Sequence, residues 1–224
     1  EFVDQQMECV FQDIFPDAVK IGMVSDKELI KVIAEKLKEY KPKNIVLDTV
    51  MVATSGSPLL KPDSVNALIE ELIPLATVIE TLKNNLFSLA TVLTPNIPEA
   101  EVLGNCKIEC EKDLKDTAIA LYEKYGCNVL VKGGHLNDTA TDILCCNGEI
   151  TEFKGERIDN NNTHGTGCTL SSAIACNLAM GHTMQESVEN AKRYITGALQ
   201  AGLNLGKGSG PLEHTYWLEI QGEK

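Results

Sequence analysis

The sequence is short of basic residues, of aromatics and of long apolar runs. Lys and Arg total 20 against 32 Asp and Glu, a formal net charge of -12, and aromatic residues make up only 5%. That balance excludes a general nucleic-acid or anionic-membrane surface. An anionic ligand has to be held by a local site that works against the global field. No run of about 18 apolar residues occurs, so no membrane span is expected. There is no Gly-x-x-x-x-Gly-Lys-[Ser/Thr], which leaves a P-loop NTPase unsupported, and no Gly-x-Gly-x-x-Gly follows a strand. The chain opens Glu1-Phe2-Val3-Asp4-Gln5, with no basic or apolar leader, so no signal peptide is expected. It also has no start methionine and reads as beginning in mid-fold. Cysteine is not scarce, at eight, but the spacing follows no secreted framework. Cys106 and Cys110 form the one cysteine pair with the short gap of a metal-ligand pair. No second Cys or His pair stands at a zinc-site distance, so no structural zinc is expected. Cys127, Cys145 and Cys146 sit in apolar strand-like runs and read as reduced thiols of a cytosolic, cytoplasmic protein.

What is present suits one α/β domain over residues 1–224. The chain of 224 residues is 43% hydrophobic, enough for one substantial core. Glu1 to Phe15 reads as a helix. Asp17 to Val24 is a short buried strand ended by glycine. Ser25-Asp26 can cap the next helix, whose apolar stripe is Leu29, Ile30, Val32, Ile33, Leu37 and Tyr40. Asn44 to Val52 is a continuous apolar run with one acid, Asp48, inside it. This suits a parallel strand buried on both faces, with the acid near the end where ligands bind in open α/β sheets. A helix from Pro62 to about Ile73 follows. Pro74 to Ile79 is nearly repeated fourteen residues later by Ser88 to Leu93. The second copy is the better strand, because Thr94-Pro95-Asn96 ends it. Helices follow from Ile97 and over Glu111 to Tyr125. Cys127 to Lys132 is a strand, and Asn147-Gly148 joins two more strands as a hairpin. The final helix runs from Met184 to about Leu205. Alternating strands and helices give a three-layer fold, mostly parallel, with one antiparallel hairpin.

The stretch Asn160 to Ala175 organises the rest. A polar approach ends in Gly165-Thr166-Gly167-Cys168, and small helix-compatible residues follow. Such a junction directs backbone N–H groups and the positive end of a helix dipole at one point, where an anion can sit. A thiol at Cys168 should there lose its proton more readily than a free one. The plainer alternative is a helix start with a buried, inert cysteine. Three other candidate sites fall just after strands: Asp48 with Val50 and Met51, Thr94 to Glu99, and Lys132-Gly133-Gly134-His135. Asn96 and Glu99, three apart at a helix start, suit a hydrated magnesium, or else ordinary capping. Lys132 suits a phosphate, or else a snorkelling lysine at a sheet edge.

The motifs Lys20-Ile21-Gly22-Met23, Leu47-Asp48-Thr49-Val50-Met51, Thr94-Pro95-Asn96-Ile97-Pro98-Glu99, Val131-Lys132-Gly133-Gly134-His135 and Asn162 to Thr169 stand together in one order. That order resembles the hydroxymethylpyrimidine/phosphomethylpyrimidine kinases of thiamine biosynthesis, members of the ribokinase-like superfamily. The resemblance implies a three-layer αβα fold and ATP-dependent phosphorylation of 4-amino-5-hydroxymethyl-2-methylpyrimidine and then of its monophosphate. It puts Cys168 in the base position of an anion hole made by Gly165, Thr166 and Gly167. It makes Asn96 and Glu99 the magnesium side and Lys132 the lysine that approaches the nucleotide phosphates, with Thr94 and Asp48 on that same nucleotide side. Met23 and Val50 match residues that wall the pyrimidine ring. Two departures stand out. The family's first strand, its Gly/Ser-rich stretch and a substrate-binding glutamine are absent from this sequence. The near-repeat Pro74 to Leu93 exceeds the family's single passage. The alternatives are a pyridoxal kinase of the same fold and a non-catalytic ligand-binding relative. Dimers are common in the family, while the residues themselves leave oligomeric state open.

Overall fold

A computed structural model describes residues 1–24, 26–50, 80–134, 141–155, 158, 160, 165–203 and 210–218. The predicted helix over 62–73, the first copy of the near-repeat, Met51, His135, Thr163 and His164 lie outside the described residues.

Among the described residues, six strands form one sheet in the order β1 to β6: Val19–Ile21, Ile45–Leu47, Val92–Leu93, Asn128–Val131, Asp142–Cys146 and Glu149–Phe153. The first four are parallel, while β4–β5 and β5–β6 are antiparallel. The antiparallel part is therefore one pairing larger than the predicted hairpin. Side chains alternate between two apolar layers, as the pleat requires. Leu47, Leu93, Val129, Val131, Ile143 and Cys145 face one layer, and Val46, Val92, Leu130, Leu144 and Cys146 face the other. Burial on both faces is why these strands read as unbroken apolar runs. The second copy of the near-repeat supplies β3. Its first two residues, Ser88 and Leu89, belong to a 3-10 turn, Phe87–Leu89, instead of a strand.

Among the described residues, helices flank the sheet: α1 (Phe2–Asp13), α2 (Lys27–Tyr40), α3 (Ile97–Gly104), α4 (Glu111–Tyr125), α5 (Thr166–Ala179) and α6 (Met184–Gln200). Residues 80–85 are also helical. The first layer takes in buried residues of α1 through α4, and the second takes in α5 and α6. Asp26 caps α2 by accepting the Glu28 and Leu29 N–H groups at 2.8 and 2.9 Å. The buried face of α2 is Ile30, Ala34 and Leu37, so Leu29 falls on the exposed side of the predicted stripe. α6 stops at Gln200, short of the predicted Leu205, and Gly202 follows with a left-handed φ of 68°.

The parallel pairing puts the ends of β1 to β4 on one edge. Gly22, Asp48, Thr94 and Lys132 leave the sheet there side by side. Backbone bonds extend the ladder past the strands: Asp48 N–H to Ile21 O at 2.9 Å, Thr94 N–H to Leu47 O at 3.1 Å and Lys132 N–H to Pro95 O at 2.8 Å.

Candidate active site

Asp48 is the hub of this edge. It is only 2% exposed, yet four side chains reach its carboxylate. Lys132 Nζ and Thr94 Oγ1 each stand 3.4 Å from Oδ1. Ser171 Oγ donates to Oδ2 at 3.1 Å, and Lys20 Nζ lies 3.7 Å from the same oxygen. A buried carboxylate needs this company, because an unpaired charge there is strongly destabilising. Ser171 belongs to the second turn of α5. Its hydroxyl also lies within hydrogen-bond reach of Gly167 O and Cys168 O. One short side chain therefore ties the start of α5 to the end of β2.

The start of α5 has the predicted form. Gly165 is its N-cap, with a φ of 81°, a conformation glycine adopts without strain. Having no side chain, Gly165 cannot cap the first turn itself. Thr166, Gly167 and Cys168 are the first three helical residues. A side chain grown at Gly167 would begin 3.6 Å from Lys132 Nζ. The ammonium of Lys132 thus lies beside the helix N-terminus, and both features favour the same anion.

Cys168 is exposed, which excludes the plainer reading of it as a buried thiol. The buried cysteines differ: burial pushes the Cys127 thiol up to about 12 and raises Cys145 and Cys146 as well. Every one of the eight cysteines is unpaired. A groove of about 860 Å³ opens at Cys168 and runs between the outer faces of α5 and α6 to Tyr194, His214 and Trp217. Asp48, Lys132 and Glu99 do not line it. A second groove of about 1090 Å³ follows β6 and α6, past Lys154, Lys192 and Arg193.

Asn96 and Glu99 form a complete capping box at the start of α3. Glu99 N–H donates to Asn96 Oδ1 at 2.9 Å, and Asn96 N–H donates to Glu99 Oε2 at 2.8 Å. Thr49 Oγ1 also reaches Glu99 Oε2, at 3.3 Å. The capping alternative is therefore realised. Carboxylate and amide oxygens keep further lone pairs, so capping and metal binding are compatible. Among the described residues no group of three or more His, Cys, Asp or Glu is placed to hold a metal. Asn96 also bridges to Lys132 across the sheet edge. Val50 is half-buried, while Met23 is 72% exposed.

Four further residues belong to this edge and carried no role in the sequence reading: Lys20, Ser171, Asp142 and Lys192. Asp142 Oδ1 accepts the Gly133 N–H at 2.9 Å, and its Oδ2 takes the Lys192 ammonium at 2.7 Å. Lys192 also donates to Phe153 O at 3.1 Å. Gly133 lies so close to β5 that a side chain there would begin 1.9 Å from Thr141 O. The turn after Lys132 is fixed from two sides. In sequence, a lone Ser in a small-residue helix and a Lys inside a strand give no such signal.

A parallel sheet whose strand ends gather a lysine, a buried aspartate, an Asn-x-x-Glu cap and a glycine-turn helix N-terminus defines a kinase of the ribokinase-like class. Comparison with known proteins gives the family. The model of the phosphomethylpyrimidine kinase family matches residues 1–81 and 78–213, two stretches that overlap inside the near-repeat. The chain belongs to that family. It is 44% identical over 218 residues to a hydroxymethylpyrimidine/phosphomethylpyrimidine kinase of Rhizobium meliloti, covering 96% of this chain and 76% of the relative. It is 42% identical over 214 residues to the thiamine biosynthesis bifunctional protein ThiED of Geobacter sulfurreducens. That match covers 95% of this chain but only 41% of the longer protein. Among solved structures, a phosphomethylpyrimidine kinase of Clostridium difficile aligns with a TM-score of 0.70 at 42% identity, covering 87% of this chain and 74% of that one. An ADP complex of Bacillus subtilis pyridoxal kinase aligns with a TM-score of 0.83 at 30% identity, covering 96% and 77%. Among the described residues no helix is long and apolar enough to cross a membrane.

Proposed function

We propose that the protein transfers a phosphoryl group from ATP to 4-amino-5-hydroxymethyl-2-methylpyrimidine and then to its monophosphate, as a step of thiamine biosynthesis. The observation that carries this reading is the Lys132 ammonium beside the glycine turn that starts α5, with Cys168 in its first turn. Transfer of this kind is mostly positioning and electrostatic stabilisation. Lys132 neutralises nucleotide phosphate. The amides of Gly165, Thr166, Gly167 and Cys168 hold the moving phosphoryl group. Cys168, exposed at that point, orients or deprotonates the acceptor hydroxyl. Thr94 and Asp48 hold Lys132 on the nucleotide side, and Met23 and Val50 flank the pyrimidine.

Magnesium fits Asn96 and Glu99, which offer hard oxygen donors beside Lys132. With so few protein ligands, most of its coordination falls to water and to phosphate, as is usual for this ion. When bound, it supplies charge neutralisation on the nucleotide. Unpaired thiols and ATP use support a cytoplasmic enzyme. A homodimer accords with the family resemblance, and nothing in the charge pattern invites nucleic acid or a membrane.

The pyrimidine is preferred to pyridoxal on two grounds: the family model, and identities of 42% and 44% against 30%. The higher TM-score of the pyridoxal kinase keeps that second reading in view. Parallel assays with the two acceptors decide between them, with a pyrimidine product expected. Cys168→Ala is expected to lose most turnover while unfolding at the same urea midpoint. Turnover near that of the unaltered protein would overturn the base role.

A further inference from the structure

Two ammonium groups share one buried carboxylate at the centre of the site. Lys132 approaches Asp48 Oδ1 at 3.4 Å, and Lys20 approaches Oδ2 at 3.7 Å from the opposite side. Both lysine side chains are largely enclosed, 17% and 22% exposed. Asp48 needs one counter-ion, not two. The surplus matters if one lysine has a second task.

We infer that Lys20 is a positioning residue: it keeps Asp48 paired while Lys132 turns from that carboxylate to the nucleotide phosphate. This rests on the phosphate-binding reading of Lys132. If Lys132 were the sole partner of Asp48, its movement to a phosphate would strand a buried charge. That penalty would oppose nucleotide binding directly. With Lys20 on the other oxygen and the Ser171 hydroxyl 3.1 Å away, Asp48 stays satisfied when Lys132 departs. The two lysines are not interchangeable. Lys132 is the one beside Gly167 of the anion turn. Lys20 comes from β1, and its ammonium lies over Gly22, where an added side chain would begin 2.9 Å from it. Gly22 thus leaves the space in which Lys20 reaches Asp48.

The test measures ADP affinity by calorimetry, and steady-state kinetics for ATP and for the pyrimidine, on the full chain. Lys20→Met is expected to weaken ADP and raise the ATP KM about tenfold or more, as loss of a close charge partner of a buried carboxylate does. The pyrimidine KM should barely move. Lys20→Arg should restore most of the affinity. Asp48→Asn removes the charge that Lys20 serves, so Lys20→Met in that background should change ADP affinity less than twofold. Gly22→Ala displaces the Lys20 ammonium without removing it, and a smaller loss in the same direction is expected. It serves as the probe if Lys20→Met does not fold. Unchanged ADP affinity in Lys20→Met, or an equal loss with and without the Asp48 charge, overturns the inference. So does a rise confined to the pyrimidine KM, which would make Lys20 an acceptor contact. Lys132→Met tests the underlying reading separately: if it leaves ADP affinity intact, Lys132 does not bind phosphate and both statements fall. If it weakens ADP while Lys20→Met does not, only the positioning role falls.

Discussion

At the residue scale, chemistry follows burial. Cys127, Cys145 and Cys146 are walled in by the sheet and its helices, and burial raises all three thiols, Cys127 to about 12. A raised pKa means less thiolate at any pH below it, and the thiolate is the reacting form. Cys9, Cys106, Cys110, Cys168 and Cys176 are exposed. Alkylation of the native protein at pH 8, read by peptide mass spectrometry, should modify those five and spare the three buried cysteines until urea is added. Early labelling of Cys127 would contradict its place in the core. The apolar runs around them mark all three for the core, although Cys127, expected to open a strand, stands one residue before β4. It could not mark Lys20 or Ser171. A strand lysine has the same appearance whether it snorkels to solvent or turns onto Asp48. A serine three residues past Cys168 gains meaning only when α5 is laid across β2.

At the element scale, strand ends were the most legible part. Asp48, Thr94 and Lys132 each follow an apolar run, and parallel pairing brings them to one edge as that position implies. Element lengths were less legible. β1 and β2 are three residues each, because hydrogen-bond partners, not apolar content, set their bounds. α6 ends before the apolar Leu203 because Gly202 takes a left-handed conformation. Lys132-Gly133-Gly134 shows how an element is held for function. The Asp142 carboxylate grips the Gly133 N–H, and Thr141 leaves no room for a side chain at Gly133. Gly133→Ala must push β4 and β5 apart, at about 1–3 kcal/mol for overpacking of this kind. It should also move Lys132 and weaken ADP. Gly134→Ala, where an added side chain meets nothing within 4 Å, is the matched control and should keep its stability. Urea midpoints and ADP calorimetry on the pair check this. Equal behaviour of the two variants would mean that the close approach at Gly133 does not constrain the turn.

At the scale of the whole molecule, the site works against the charge around it. The chain carries -12, and its proposed substrates, ATP and the pyrimidine monophosphate, are anions. The attraction is local: Lys20 and Lys132, both mostly enclosed, and the N-terminus of α5. Salt acts unequally on these two fields. The Debye length falls from about 30 Å at 10 mM to about 8 Å at 150 mM, so repulsion from distant surface carboxylates is screened first. Enclosed pairs at contact distance are screened far less. Raising KCl over that range at constant magnesium should therefore increase kcat/KM for ATP, by about twofold or more if the surface field acts as it does on charged ligands elsewhere. The monophosphate acceptor should follow the same trend. The uncharged hydroxymethylpyrimidine, which feels no such field, should not, and it serves as the internal reference. A steep fall in kcat/KM for ATP with salt, as at a site fed by a basic surface, would show that attraction reaches well beyond Lys20, Lys132 and the helix start.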